Sequence, residues 1–229
     1  MTYYEMQNIA RLTFGYIKSV IKPGMTLIDV RKLCETKLLE LGADSFWYYD
    51  IGAFCFSGKD TTISISGREY ITPNIVIKED DIITIDLSPQ CNNIWGDYAR
   101  TIVIENGIVK NSINEITNVE WKNGLILEDK LHEKMKNFVN RNTTFNDLFI
   151  YINNYIKQKG YVNFDFNGNL GHSIVKNKED RVYIEKGNNL KLSDVKLFTF
   201  EPHIGLKNSA YGFKKENIYY FEKNELVEL

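Results

Sequence analysis

Residues 82–104 constrain the fold of this 229-residue chain more than any other stretch. They form two runs rich in Ile, Thr and Val, joined by a polar, asparagine-rich turn, which is the pattern of a β-hairpin. A hairpin centred on Cys91 and Asn92 places Asp86 directly opposite Asp97. Like charges at facing positions destabilise an antiparallel pair, so a bound divalent cation is one prediction. Two aspartates that flank a solvated turn are the alternative, because Asp is common in turns.

The composition is that of a globular protein and excludes several other classes. Apolar residues make up 43% and charged residues 25%, and the formal net charge of −2 favours neither nucleic acid nor an anionic membrane as partner. No apolar run reaches the roughly 18 residues of a membrane span, and the first residues lack a signal-peptide core. Cys34, Cys55 and Cys91 are odd in number and far apart, which is typical of reduced thiols. We therefore expect a cytoplasmic protein.

Two predicted helices share the same start and stop signals: a Thr cap, an Asp three residues later and a Gly sixteen residues after the Thr. These signals stand at Thr26, Asp29 and Gly42, and again at Thr144, Asp147 and Gly160. The constant offset of 118 positions indicates an internal duplication, in which two helix pairs cover one face of a shared sheet. Coincidence of three common punctuation residues is the alternative. Since no disordered linker intervenes, we predict one domain over residues 1–229, with halves of about 1–110 and 111–229.

Three more candidate ligands lie in strand-like runs of the second half. Each run carries one such residue in an apolar setting, and the three are His172, Glu201 and Glu216. Residues 198–201 read Phe-Thr-Phe-Glu, an apolar run that ends on a carboxylate. Glutamate is rarely buried unless it is paired with a cation or binds a metal. These residues therefore extend the metal hypothesis from the hairpin to a larger cluster.

The order of the five candidate ligands, two Asp, one His and two Glu, resembles that of metallopeptidase family M24. This is the pita-bread family of methionine aminopeptidases, aminopeptidase P and prolidases. The motifs TIDLS, WGDYART, LGHSI, LFTFEP and GFKKENIYYFE stand where the family has its ligands, and PGMTLIDVRKLCETKLLELGA resembles the helical start of its catalytic domain. The resemblance covers nearly the whole chain, as a catalytic domain only. It implies an α+β pita-bread fold, in which pseudo-twofold, duplicated helix pairs pack on a curved antiparallel sheet.

The resemblance also implies a two-metal hydrolase of short peptides, similar to the Xaa-Pro aminopeptidases and dipeptidases of the prolidase-like branch. Asp97 and Glu216 would bridge both ions, Asp86 would chelate one, and His172 with Glu201 would hold the other. Four carboxylates and a neutral imidazole carry four negative charges, which matches two divalent cations. A hydroxide that bridges the ions would attack the scissile carbonyl.

The same resemblance assigns the metal and two further roles. Oxygen-rich ligation with one His suits Mn²⁺ first, with Co²⁺, Fe²⁺ or Zn²⁺ as alternatives. Glu201, next to the bridging water, would shuttle its proton as general base and then as general acid. Arg100, three residues after Asp97, would steady a ligand carboxylate from outside the ligand set.

The chain departs from the family pattern at two histidines that contact substrate in the family's peptidases. One lies about seventeen or eighteen residues before the first aspartate, where this chain has Arg68 and Glu69. The other lies seven residues after the ligand histidine, where this chain has Glu179. We hypothesise that Arg68 and Arg181, cations in the same two segments, bind an anionic substrate group such as a carboxylate. His203 lies two residues past the fourth ligand, on the same strand face, and is a third candidate for substrate binding.

The missing histidines keep two alternatives open. Loss of one oxyanion-type donor costs about 10²–10³ in rate, so the chain is alternatively a weakened or inactive binding protein on the M24 fold. The other alternative is a hydrolase of a non-peptide amide, although the creatinase relatives work without metal and depend on a histidine base. The complete ligand set favours the peptidase, with a short peptide as partner, no nucleic acid, no membrane, and a monomer or homodimer. The remaining histidine, His132, lies in a polar helical stretch and is predicted at the surface.

Overall fold

The structure, a computed structural model, describes the whole chain from Met1 to Leu229. Its four helices are α1 (Tyr3–Val20), α2 (Leu27–Glu40), α3 (Val119–Phe138) and α4 (Phe145–Gln158). Its strands are β1 (Ser45–Phe46), β2 (Ala53–Ser57), β3 (Asp81–Leu87), β4 (Pro89–Cys91), β5 (Ile94–Trp95), β6 (Tyr98–Glu105), β7 (Ile108–Val109), β8 (Tyr161–Asn163), β9 (Phe198–Phe200), β10 (His203–Leu206), β11 (Phe213–Lys214), β12 (Asn217–Glu222) and β13 (Glu225–Glu228). All strand pairs are antiparallel, in the orders β2-β3-β6-β7, β1-β4-β5, β11-β10-β8 and β13-β12-β9.

The two helix pairs repeat each other in detail. Helices α2 and α4 are both 14 residues long, and each begins with a capping box, formed by a Thr and the Asp three residues later. The first residue of each helix also donates its backbone N–H to a distant extended segment. Leu27 donates to the Ile75 carbonyl, and Phe145 donates to the Leu190 carbonyl. The glycine stops both adopt positive φ, as the sequence predicted. The duplicated helix pair is therefore present in the structure.

The central hairpin forms, but its register differs from the predicted one. Its turn residues are Asn92 and Asn93, with φ of 52° and 61°, as a two-residue type I′ turn requires. Asp86 consequently faces Ala99, and Asp97 lies just before the start of β6. The predicted facing of Asp86 and Asp97 is therefore wrong by two positions. Because side chains alternate with a period of two, this shift leaves both carboxylates on the predicted face.

Three other element boundaries differ from those that the sequence predicts. Alternation over residues 61–67 predicts a strand, but a short 3₁₀ helix ends at Thr62 and irregular chain follows. The sequence predicts a helix over about residues 112–138, but α3 begins only at Val119, where the Asn118 side chain caps it. The strand-like run over residues 195–204 predicts a single strand, but it breaks at Glu201 and Pro202, where proline has no N–H for a ladder bond.

Each helix pair covers its own buried core. One core of nineteen residues lies under α1 and α2, and a second core of nineteen lies under α3 and α4, which agrees with the duplication. His132 of α3 belongs to the inner side of its helix and is only 3% exposed, so its predicted surface position is wrong. Its ring nitrogens lie 2.8 Å from the Tyr219 hydroxyl and 3.0 Å from the Lys215 carbonyl. No helix is both long and apolar enough to cross a membrane.

Candidate metal centre

Three carboxylates meet where the central hairpin approaches the last strands. Asp86 is the penultimate residue of β3, and the side chain of Gln7 in α1 holds the main chain of Asp97. Glu216 is drawn to the same place because its N–H donates to the Ala99 carbonyl at 3.0 Å. One ligand oxygen from each of Asp86, Asp97 and Glu216 lies within 4.8 Å of the others.

The remaining two predicted ligands close the cluster from the side of β9. His172 Nε2 lies 3.5 Å from Asp97 Oδ2 and 3.7 Å from Glu201 Oε1. Thr199 positions both residues, since its hydroxyl accepts from the His172 N–H at 2.9 Å and donates to Glu201 Oε1 at 3.0 Å. The Ser173 carbonyl lies 3.0 Å from His172 Nδ1, so Nδ1 carries the proton and the Nε2 lone pair faces the carboxylates. Burial lowers the pKa of His172 to about 4, which keeps the ring neutral.

The glycine before the ligand histidine is required by close packing. Gly171 has φ of +134°, and a Cβ there would lie 2.4 Å from the Thr199 carbonyl oxygen. Both facts exclude a side chain, because L-residues avoid positive φ and the backbone oxygen cannot move away. The Leu-Gly-His motif therefore places the imidazole against β9.

The electrostatics of the cluster fit divalent cations. Both oxygens of Glu216 are fully buried and have no hydrogen-bond partner, a costly arrangement unless another group binds them. Burial and the neighbouring carboxylates raise the pKa of Glu216 and of Asp97 well above the usual range. Positive charge at this point would reverse that effect. With one imidazole and four carboxylates, the donor set suits Mn²⁺ and similar ions.

The structure adds a cation that sequence reasoning missed. Lys214 of β11 places its Nζ 2.6 Å from Asp86 Oδ2 and 3.0 Å from Glu201 Oε2. A signal for it was present in the sequence, because Lys214 precedes Glu216 by two positions, a spacing that puts two side chains on one face where the chain is extended. The Asp86 and Glu201 carboxylates hold the pKa of Lys214 well above its usual range despite its burial.

All the candidate ligands except the fully buried Glu216 line the floor of a cleft of about 340 Å³. Apolar side chains line much of the wall, among them Trp47, Phe54, Phe56 and Ile63.

Arg181 also lines the cleft, and its guanidinium carbon lies 5.2 Å from the Trp47 and Tyr48 ring centroids and 5.5 Å from that of Tyr183. Its Nε donates to the Lys178 carbonyl at 2.7 Å, and its terminal nitrogens have no protein partner.

The other predicted substrate contacts divide between the cleft and the surface. His203 lines the cleft, where its Nε2–H donates to the Thr61 carbonyl at 2.6 Å and its Nδ1 has no protein partner. Burial lowers its pKa to about 4. Arg68 lies outside the cleft lining and donates from Nε to the Tyr49 hydroxyl at 2.8 Å. Glu179 is exposed and also lies outside the lining.

Arg100 supports the cluster through the main chain. Its Nη1 donates to the Glu216 carbonyl at 2.6 Å and to the Ala99 carbonyl at 2.7 Å, and its Nη2 donates to Asn217 Oδ1 at 2.6 Å. We predicted a contact with a ligand carboxylate. The structure instead places the guanidinium on the backbone that carries Glu216.

The fold and the cleft floor together define a class of protein, in which an α+β domain with two similar helix pairs brings together oxygen donors of the kind that divalent cations prefer. The sequence pattern of metallopeptidase family M24 matches residues 3–223. The chain belongs to metallopeptidase family M24, as its motifs predicted.

Comparisons with individual proteins agree with this assignment. Methionine aminopeptidase 1 of Bacillus subtilis is 28% identical over 158 residues, which are 66% of this chain and 61% of that protein. The X-Pro aminopeptidase structure from Thermotoga maritima matches with a TM-score of 0.80 and 20% identity, over 97% of this chain and 58% of that one. The prolidase from Pyrococcus furiosus matches with a TM-score of 0.80 and 17% identity, over 98% of this chain and 61% of that one. The predicted pita-bread fold is confirmed, in a chain that spans about three fifths of each of these proteins.

Proposed function

We propose that this protein is a metal-dependent hydrolase of short peptides, of the Xaa-Pro aminopeptidase or dipeptidase kind. The observation that carries the proposal is the convergence of three carboxylates and one neutral imidazole on the floor of a single cleft, with the buried carboxylate of Glu216 within 4.8 Å of two of them. The orphaned oxygens of Glu216 support the same conclusion, since nothing in the protein satisfies them.

The five ligands would hold two divalent ions. Asp97 and Glu216 would contact both, Asp86 would contact one, and His172 with Glu201 would contact the other. When bound, such ions lower the pKa of a water molecule and polarise a carbonyl group. The protein's own contribution to proton transfer is Glu201, whose Oε1 is held by Thr199 and whose Oε2 faces the cleft cation Lys214. Glu201 would accept the proton of the attacking water and pass it to the leaving amine.

The size and lining of the cleft support a small substrate. Its volume of about 340 Å³ is at the lower end of pockets for small ligands, which suits a dipeptide or tripeptide better than a folded chain. The free terminal nitrogens of Arg181 would bind a carboxylate in bidentate fashion, as expected for the C-terminus of a short peptide. The aromatic rings around Arg181 fix the plane of the guanidinium, so binding would cost little side-chain entropy.

His203 would supply a hydrogen-bond acceptor. Its Nε2–H is fixed on the Thr61 carbonyl, so the unpartnered nitrogen of the neutral ring is Nδ1. An acceptor suits a substrate N–H group, such as the amine or the amide of a peptide. His203 would therefore act in binding, and it would not donate a proton.

The test is turnover of a pooled dipeptide and tripeptide library, including Xaa-Pro members, with Mn²⁺, Co²⁺ or Zn²⁺ added and metal content measured. The matched control is Glu201→Gln, which keeps an oxygen donor but cannot accept the proton. Cleavage by the wild type and its loss by about 10²–10⁴ in the variant is the expected result. Two bound ions per chain without cleavage of any member would overturn the peptidase proposal in favour of a binding role or a non-peptide amide.

A further inference from the structure

A charged side chain of the protein contacts two of the candidate metal ligands. The ammonium of Lys214 contacts Asp86, a ligand assigned to one ion, and Glu201, a ligand assigned to the other. Both contacts are short, and Lys214 is half-buried within the cleft. An ammonium at this place therefore contacts one oxygen of a candidate ligand from each metal position.

The charge count shows why this contact affects metal binding. Four carboxylates against one ammonium leave three formal negative charges in the cluster. One divalent ion leaves a single negative charge, and a second ion makes the sum positive. A metal ion bound to an oxygen that also binds the ammonium would be strongly repelled, because the two cations would be only a few ångströms apart.

The backbone of Lys214 is fixed, whereas its side chain has a second possible partner in the cleft. The Lys214 N–H donates to Thr101 Oγ1 at 2.9 Å, and the Thr101 hydroxyl donates back to the Lys214 carbonyl at 3.2 Å. The four-carbon stem is flexible, and a second acceptor lies in the same cleft. Asp165 uses Oδ1 for the Ser64 hydroxyl and the Phe166 N–H, whereas its Oδ2 has no protein partner.

We propose that Lys214 is an internal cation that competes with metal ions for Asp86 and Glu201, so that full metal loading requires its ammonium to leave these ligands for Asp165. The ammonium would therefore weaken binding of the second divalent ion. This proposal rests on the metal site of the proposed function and adds how that site is loaded.

The test measures Mn²⁺ binding to the metal-stripped full chain by calorimetry, with bound metal counted after desalting. Lys214→Met removes the ammonium and keeps an unbranched stem. Lys215→Met is the matched control, because Lys215 is the next residue and its Nζ contacts the exposed Asp129, and neither residue lines the cleft. We expect the second Mn²⁺ to bind at least about tenfold tighter to Lys214→Met, within the usual range of coupling between sites, and to be unchanged in Lys215→Met. Equal affinities in wild type and Lys214→Met would overturn the proposal.

A second measurement uses only the wild-type protein and so does not depend on the folding of a variant. Crystals grown with and without Mn²⁺ should show the Lys214 Nζ near Asp86 without metal and near Asp165 with two ions bound. Two ions bound while Nζ still contacts Asp86 and Glu201 would refute the competition. If neither protein binds Mn²⁺, both this proposal and the metal site fail, whereas equal binding with peptide turnover would refute only the role of Lys214.

Discussion

Gln7 and Asp97 form a reciprocal pair of hydrogen bonds between the first helix and the central hairpin. The Gln7 amide donates to the Asp97 carbonyl at 2.6 Å, and the Asp97 N–H donates to Gln7 Oε1 at 3.0 Å. Gln7 is fully buried, and the side chain of Asp97 belongs to the carboxylate cluster of the candidate metal centre. A side chain 90 positions away therefore fixes the main chain of a candidate bridging ligand.

Gln7→Leu should weaken both the fold and the metal site. The substitution leaves a buried N–H and a buried carbonyl unsatisfied, so we expect a loss of about 2–4 kcal/mol in the free energy of unfolding. Misplacement of Asp97 should reduce Mn²⁺ affinity by about 10–100-fold, as for other residues that orient ligands. Chemical denaturation and calorimetry measure the two effects, and Asn8→Ala, at an exposed neighbouring position, is the control. Unchanged Mn²⁺ affinity in the folded Gln7→Leu protein would contradict the prediction.

Two glycine-to-alanine substitutions should have opposite effects on the free energy of unfolding. Gly171→Ala puts a Cβ against the Thr199 carbonyl at positive φ and should cost about 2 kcal/mol or more in stability. Gly15→Ala lies in α1 with no atom within 4 Å of the new Cβ, and should stabilise the protein by about 0.5–1 kcal/mol. Thermal unfolding of both variants beside the wild type tests the pair. Equal stability of Gly171→Ala and wild type would show that the site does not require this close approach.

Arg181→Ala should affect substrate binding and leave the chemical step intact. If Arg181 binds the substrate carboxylate, KM for short peptides should rise by about 10–100-fold with kcat little changed, because a charged hydrogen bond is lost in ground and transition state alike. For peptides whose C-terminus is amidated, KM should be the same for Arg181→Ala and the wild type, because these peptides have no carboxylate to bind. Arg68→Ala is the matched control, since Arg68 lies outside the cleft lining. Steady-state kinetics in which Arg181→Ala behaves like Arg68→Ala would end the carboxylate hypothesis.

His132 should make the protein less stable in mild acid. Burial, with lesser contributions from Lys215, Arg100 and Lys136, lowers its pKa well below 6.5, and it is held between the Tyr219 hydroxyl and a backbone carbonyl. The unfolded chain takes up a proton near pH 6.5 that the folded protein refuses, so stability falls as the pH falls below that value, by about 1.4 kcal/mol per pH unit.

The measurement is the free energy of unfolding from pH 7.5 to 5.5, compared between wild type and His132→Gln. The variant retains a donor and an acceptor but does not titrate, while the other two histidines are common to both proteins. The two curves should diverge only below about pH 6.5, with the steeper fall in the wild type. Parallel curves over this range would exclude His132 as the cause.

The hairpin shows which part of the site could be predicted from sequence. The placement of Asp86 and Asp97 on one face follows from the alternation of side chains along a strand. It is correct although the predicted pairing of the strands was wrong by two positions, because a shift of two keeps each side chain on the same face. The register itself depends on which two residues adopt positive φ. Both Asn92 and Asn93 do so. Residue types alone do not distinguish this turn from the predicted one, which is centred one residue earlier.

His132 and Lys214 show why other features were missed. Helix α3 buries four residues at helical spacing, namely Glu128, Leu131, His132 and Met135. Because two of these four are polar, the buried face of the helix is not visible as an apolar stripe in the sequence. Lys214 carries its charge into the cleft because its strand alternates, and a lysine beside a predicted ligand usually indicates a solvated surface. For both residues, contacts with distant segments of the chain determine whether the side chain is buried.

The duplicated halves contribute unequally to the cluster: Asp86 and Asp97 come from the first, and His172, Glu201 and Glu216 come from the second. Neither half therefore carries a complete set of candidate ligands. A cut between the halves would divide the centre between two fragments, although each fragment would keep its own helix pair and its own buried core.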